Sequence, residues 1–133
     1  MNGNKDVEEV QIIIEAIKGR LDSAAAEEKF ALIEVLASRI YEERILRREL
    51  HGRYMEIGDF EDNEGGDIEG RKLAFKIYKQ KLQTRDNLLK RVEAISRVVS
   101  TLWKQIDMTA ISDREDFVSD VEKLLNKRNR EDK

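Results

Sequence analysis

Residues 88–106, LLKRVEAISRVVSTLWKQI, decide the fold of this chain. Apolar side chains recur here at alternating steps of four and three residues: Leu88, Val92, Ile95, Val99, Leu102 and Ile106. This heptad spacing predicts a helix whose apolar stripe packs along a second helix. The same register continues upstream through Ala74, Tyr78, Lys81 and Arg85, so we expect one long helix over residues 68–106.

A second long helix is predicted upstream, over residues 24–57. Its stripe again alternates steps of three and four: Ile33, Leu36, Ile40, Glu43, Arg47, Leu50, Tyr54 and Ile57. Residues 58–67 contain three glycines among clustered acids, which is typical of a turn. Folding the chain back at this turn predicts a coiled-coil-like antiparallel hairpin, with Leu50 opposite Ala74 and Glu43 opposite Lys81.

Short helices are expected on both sides of the hairpin, over residues 6–21 and 113–127. Asp22 and Ser23 are suitable caps for the start of the second helix. The basic tail at 128–133 is expected to fray. The predicted fold is therefore all-α and forms one domain over residues 1–133, a long hairpin flanked by short N- and C-terminal helices.

Charged residues interrupt both apolar stripes of the predicted hairpin. In the predicted register they meet as one polar layer, formed by Glu43, Arg47, Lys81 and Arg85. The best-attested use of such a layer is to fix register or oligomeric state. The alternative is that the helices rotate and these charges extend into solvent.

Amino-acid composition limits the classes of protein to which this chain can belong. The chain has 133 residues, 40% of them charged, with no proline and no cysteine. This mixture is typical of long helices, and the lack of cysteine excludes disulfides and thiolate zinc sites. No apolar run approaches the ~18 residues that a membrane span needs, and the acidic N-terminus is unlike a signal peptide. We expect a cytoplasmic protein.

Catalytic and metal-binding patterns are missing from the sequence. His51 is the only histidine, and no nucleophile elbow, phosphate-binding glycine loop or zinc-protease motif occurs. An EF-hand loop starting at Asp59 would need glycine at Glu64 and glutamate at Gly70. We predict a protein that is not an enzyme and has no cofactor; a weak cation site in the acidic turn is left open.

Charge is strongly polarised along the chain. Residues 71–104 contain ten lysines and arginines against two acids, a local charge of +8, whereas residues 56–69 contain seven acids and no base. Clustered cations on a helix are typical of phosphate binding, but they also pair with acidic proteins, and both readings stay open. The candidate nucleic-acid residues are Arg44, Arg47, Arg48, Lys72, Lys76, Lys79, Arg85, Lys90, Arg91, Arg97, Lys127, Arg128 and Arg130. We expect the cations of residues 71–104 to wrap around their helix and present scattered charge.

Further apolar residues lie outside the hairpin stripes, including Ile45, Leu73 and Phe75. If exposed, these residues form a large apolar patch. Large exposed apolar patches are uncommon on monomers, so we expect a homo-oligomer.

A resemblance extends over residues 30–95. FALIEVLASRIYEERILRRELHGRYMEIG, an acidic turn with glycines, and then DIEGRKLAFKIYKQKLQTRDNLLKRVEAI resemble in layout the central helical hairpin of tailed-phage small terminase subunits. The resemblance implies a ring-forming, non-catalytic adaptor in a bacterial host cell that binds viral DNA and a large motor subunit. Residues before Ala24 are too few for that family's helix-turn-helix, so the implied DNA contacts fall on hairpin cations or the basic tail. A structural or regulatory coiled-coil module that binds protein remains the alternative.

Overall fold

The computed structural model describes the backbone of residues 2–62, 68–106 and 111–131, and the side chains of residues 6–60, 70–106 and 115–128. All regular secondary structure in these ranges is α-helical, which confirms the all-α prediction. The helices are α1 (Asn2–Lys18), α2 (Ser23–Glu28), α3 (Phe30–Asp62), α4 (Ile68–Gln105) and α5 (Ile111–Glu131). None of them combines the length and hydropathy required to cross a bilayer, within the described residues.

The predicted second helix is divided in two at Lys29. Asp22 caps α2 as expected, because its Oδ1 accepts a hydrogen bond from the Ala25 amide at 2.8 Å. Lys29 leaves helical geometry with φ −102° and ψ 16°, and its amide still bonds the carbonyl oxygen of Ala25 at 3.0 Å. Its carbonyl then accepts from the Ile33 amide at 3.0 Å, so α3 begins immediately after the break.

α3 and α5 extend further than predicted at their C-terminal ends. α3 continues through Asp62, so the prediction of a turn is wrong for residues 58–62, and residues 63–67 lie outside the described residues. Gly58 is inside α3, where a glycine costs about 1 kcal/mol relative to alanine. The ring of Phe60, two residues later, packs on Tyr78 and favours continuing the helix. α5 likewise continues through Glu131, so the predicted fraying of residues 128–131 is wrong.

Contacts divide the chain into two compact units, where we expected one domain. One unit comprises Met1–Glu42 and Arg97–Lys133, and the other comprises Glu43–Ser96. α3 and α4 contribute residues to both units.

The first unit is built on the packing of α1 against α5. Its fully buried side chains include Ile13, Ile17, Phe117, Val121 and Leu125. Val7, near the start of α1, lies outside this core and is 69% exposed. Arg20 and Asp120 form an ion pair at 2.8 Å, and a second ion pair joins Glu8 to Arg128. Glu8 lies in the N-terminal half of α1 and Arg20 lies just beyond its C-terminal end, and their partners on α5 come in the reverse order, so the two helices run antiparallel.

Trp103 of α4 completes that core. Its ring lies 4.9 Å from Phe117 between centroids, tilted by 52°. Trp103 is 3% exposed, whereas the predicted stripe residue Leu102 is only partly buried. A buried tryptophan removes more apolar surface from water than a leucine, which favours the rotation that turns Trp103 inward.

The second unit buries one stripe from each long helix. Leu88, Val92 and Ile95 of α4 are at most 8% exposed, which confirms the predicted stripe there. On α3 the predicted stripe is wrong at two positions, because the Arg47 side chain is 57% exposed and Tyr54 is 46% exposed.

At the first of these positions the preceding residue, Leu46, lies on the inward face of α3 and is 5% exposed. Positions three and four residues apart share a helix face, so spacing alone left both choices open. Burying Leu46 in place of a charged arginine removes apolar surface from water without an ionic desolvation cost.

The side-chain pairs that join α3 to α4 within this unit include Glu56 with Lys81, Phe60 with Tyr78 (ring centroids 6.1 Å apart), and Tyr54 with Arg85 (guanidinium carbon 5.3 Å from the ring centroid). Partners on α4 fall in number as residues on α3 rise, as in segments running in opposite directions. The predicted pairing of Glu43 with Lys81 is wrong, because Lys81 bonds Glu56, 13 residues further along α3. A shift of about two heptads keeps the stripes facing each other, so apolar periodicity could not distinguish the two registers.

Candidate nucleic-acid interface

The four residues predicted as one polar layer do not lie together. Glu43 and Arg47 pair one turn apart on α3, with 3.6 Å between Glu43 Oε2 and Arg47 Nη2. Lys81 instead bonds Glu56, which lies about 20 Å from Glu43 along α3 at the rise of an α-helix. The structure therefore separates a Glu43–Arg47 pair from a Glu56–Lys81 pair.

Arg85 belongs to neither pair. It donates two hydrogen bonds to the adjacent Asp86, at 3.1 and 3.2 Å, and its guanidinium lies over the Tyr54 ring. Its side chain is 28% exposed. Arg85 is thus held by contacts within the protein and is poorly placed to bind a phosphate.

Glu56 is the electrostatic centre of the α3–α4 contact. It accepts hydrogen bonds from Lys81 and from Arg53, the latter at 3.0 Å. These two cations, Lys81 first, hold the pKa of the Glu56 carboxyl below its usual value. The carboxylate is therefore ionised at neutral pH and fixes two cations that could otherwise bind an external anion.

Two other nucleic-acid candidates, Arg44 and Arg128, expose little of their side chains to solvent. Arg44 is 7% exposed, which is incompatible with a direct phosphate contact. Arg128 forms an ion pair with Glu8 and its side chain is 23% exposed. Arg48, Arg91, Arg97 and Lys127 are exposed, and the side chain of Arg130 lies outside the described residues.

Four lysines of α4 in the Glu43–Ser96 unit form the candidate site. Lys72, Lys76, Lys79 and Lys90 are all exposed, and none forms an ion pair with an acid in the described part of the chain. At 100° per residue they fall within about 60° of the helix circumference. We call these four residues the lysine row.

The cations of residues 71–104 lie on several sides of α4, as expected, and the lysine row is the group of them on one exposed face. Lys81 and Arg85 lie on the opposite side of α4 and contact α3, whereas the row faces away from it. Counting outward from the buried stripe of Leu88 and Val92 would have found the row in the sequence, because its members are separated by four, three and eleven residues, each close to a whole number of helical turns. Reading all the cations of residues 71–104 as one set obscured it.

The first unit contains an acidic cluster that the sequence did not indicate. Tyr41 donates a hydrogen bond to Asp6, and the neighbouring Glu9 is 4% exposed. Burial, followed by the bond to Asp6, raises the pKa of the Tyr41 hydroxyl far above its usual value. The tyrosine therefore stays protonated and ties α1 to α3.

The described residues contain neither a site built around a histidine nor a cluster of metal-ligating side chains. His51 is exposed on α3. No group of three His, Cys, Asp or Glu side chains is arranged to hold a metal ion in the ranges that the structure describes. The acidic turn for which a weak cation site was left open falls largely outside them, with the side chains of Glu61, Asn63 and Asp67 not described.

Comparison with known proteins adds no information on function to the geometry described above. No family model matches the chain, and no curated protein and no solved structure is detectably similar to it.

Proposed function

We propose that this chain is a non-catalytic helical adaptor that binds DNA through the lysine row. The observation that carries the proposal is the arrangement of Lys72, Lys76, Lys79 and Lys90 on one exposed sector of α4. Their ammonium groups have no acid partner among the described residues, so binding a phosphate requires no internal ion pair to break. Such contacts give affinity that falls steeply with salt and depends little on sequence.

The scaffold of the proposed site is the contact between α3 and α4. We infer that these helices pair as an antiparallel coiled-coil hairpin within the Glu43–Ser96 unit, in the register of the Glu56–Lys81 and Phe60–Tyr78 contacts. A helix held by its opposite face keeps the row in place, and that lowers the entropic cost of binding.

The proposal also includes association between copies of the chain and a large motor subunit as a partner. Ile45 is 41% exposed and Met55 is 58% exposed on α3, and apolar side chains of this kind favour association between copies. The resemblance of residues 30–95 to small terminase subunits supports a packaging adaptor that delivers DNA to a large motor subunit in the cytoplasm of a bacterial host.

A structural or regulatory coiled-coil module is the second candidate function. The same exposed Ile45 and Met55, together with Leu73 at 60% exposure, are suited to binding another protein. This candidate differs from the first in one respect, because it requires no affinity for nucleic acid.

Fluorescence anisotropy with a labelled duplex at low salt tests the first candidate. Lys72→Gln with Lys76→Gln removes two members of the row, and Arg39→Gln with Lys123→Gln removes two exposed cations outside the row, one on α3 and one on α5. We expect the first variant to bind more weakly than the second, which keeps wild-type affinity. Equal losses in both variants, or no binding by the wild-type protein, would overturn the assignment; the latter result favours the protein-binding module.

A further inference from the structure

Phe75 is an exposed aromatic ring in the middle of the lysine row. It is 58% exposed, and Lys76 follows it directly. Lys72 precedes it by three residues and Lys79 follows by four, so both lie beside it on the surface of α4. The Lys79 ammonium lies 4.7 Å from the ring centroid. The Lys79 ammonium therefore lies over one face of the ring, and more than half of the residue remains exposed to solvent.

Phe75 differs from the other described rings of the Glu43–Ser96 unit. Phe60 and Tyr78 stack on each other with an interplanar angle of 8°, and the Tyr54 ring is covered by Arg85. Those rings contact side chains of the other long helix. The ring of Phe75 contacts Lys79 of its own helix and stacks on no other described ring, and the 58% of this residue that is exposed leaves apolar surface in water, at an unfavourable free energy.

We propose that Phe75 stacks on an unpaired base while Lys72, Lys76 and Lys79 bind the adjacent phosphates. This face of α4 then takes single-stranded nucleic acid in preference to a duplex. The inference rests on the proposed function and specifies its ligand. Exposed aromatic rings beside a cationic track are the usual means of binding single strands, because every base presents a π-face.

The dimensions of the cluster suit a short stretch of strand. Lys72 and Lys79 are separated by about 10 Å along the helix, which is the axial rise of about three nucleotides of a stacked strand. In a duplex the bases are stacked on one another and their faces are closed to Phe75. The lysines bind either form, so the ring is the part of the site that distinguishes them.

The test compares Phe75→Ala with Leu73→Ala. Leu73 is 60% exposed two residues earlier on the same helix, so both variants remove an exposed apolar side chain and leave the lysines in place. Binding is measured by anisotropy with a labelled oligothymidine and with the corresponding duplex. We expect Phe75→Ala to weaken single-strand binding about 5- to 150-fold, the range of one lost stacking contact. Duplex binding should stay unchanged, and Leu73→Ala should alter neither.

Three results would overturn the inference. Phe75→Ala could weaken duplex and single-strand binding equally, or it could leave both unchanged; in either case the ring does not stack on a base. It could instead lower the molar mass measured by light scattering while single-strand affinity is retained, which would make Phe75 a contact between copies.

The failure of this inference is distinguishable from failure of the proposed function. If the Lys72→Gln, Lys76→Gln variant loses duplex binding and Phe75→Ala has no effect, DNA binding stands and base stacking is refuted. If wild-type protein binds neither probe at low salt, both proposals fall.

Discussion

Cross-linking residue 60 to residue 78 tests the register of α3 against α4. The chain has no cysteine, so a Phe60→Cys, Tyr78→Cys variant contains only the two introduced thiols. The parallel rings of Phe60 and Tyr78, with centroids 6.1 Å apart, place these positions side by side. A short bismaleimide should therefore join them within one molecule.

The link should stabilise the fold by an amount set by the loop that it closes. Residues 60 and 78 are 18 positions apart, for which the chain-entropy model gives about 3 kcal/mol. Comparing the linked with the unlinked double variant cancels the loss of ring stacking. Urea unfolding followed by circular dichroism should show a midpoint raised by about 1–3 M, given typical slopes for small proteins.

A Leu50→Cys, Ala74→Cys variant is the matched control. Those positions face each other in the register that apolar spacing alone predicted, and they are displaced by about two heptads in the structure. Efficient linking at 50 and 74, with none at 60 and 78, would refute the register and the orientation of the lysine row that depends on it.

Two further predictions concern stability. Hydrogen bonds from Lys81 and Arg53 lower the pKa of Glu56, so the stability that they contribute is present above that group's usual pKa and is lost as pH falls through the lowered value. In a Glu56→Gln variant the urea midpoint should no longer fall with pH on account of this group. A variant whose urea midpoint depends on pH as the wild type does would contradict the stabilising role of the Glu56 carboxylate. Phe117→Ala should cost about 3–5 kcal/mol, because Phe117 is fully buried. Val118→Ala, at a 43% exposed neighbour, should cost less than about 0.5 kcal/mol, and equal losses would contradict the packing described for α5.

Sequence alone predicted which face of α4 is buried. Leu88, Val92 and Ile95 repeat a heptad spacing that only one helix face can accommodate, and all three are buried. The all-α class and the Asp22 cap follow from equally local rules and agree with the structure. Local rules suffice where one residue's environment is set by its near neighbours.

The pairing of α3 with α4 could not be predicted from such local rules. A heptad stripe can slide by whole heptads without exposing its apolar residues, and specific contacts such as Glu56 with Lys81 select one register. No glycine or proline lies near the break at Lys29, so helix propensity gave no signal for it.

The candidate site was only partly accessible to sequence reasoning. Residue type identified the cations correctly, but their availability depended on partners that only the fold provides. Arg44 is buried, and Arg85 is held by Asp86 and Tyr54. Phe75 was counted with the apolar residues that favour assembly, and its position among exposed lysines appears only when the opposite face of α4 is known to be occupied.

The salt dependence of duplex binding tests the role of the lysine row most directly. Each phosphate contact contributes about 0.9 to the slope of log K against log salt concentration. The Lys72→Gln, Lys76→Gln variant should therefore show a slope shallower than that of wild type by about 1.8, and the Arg39→Gln, Lys123→Gln variant should match wild type. Identical slopes for all three proteins would contradict phosphate binding by the exposed face of α4.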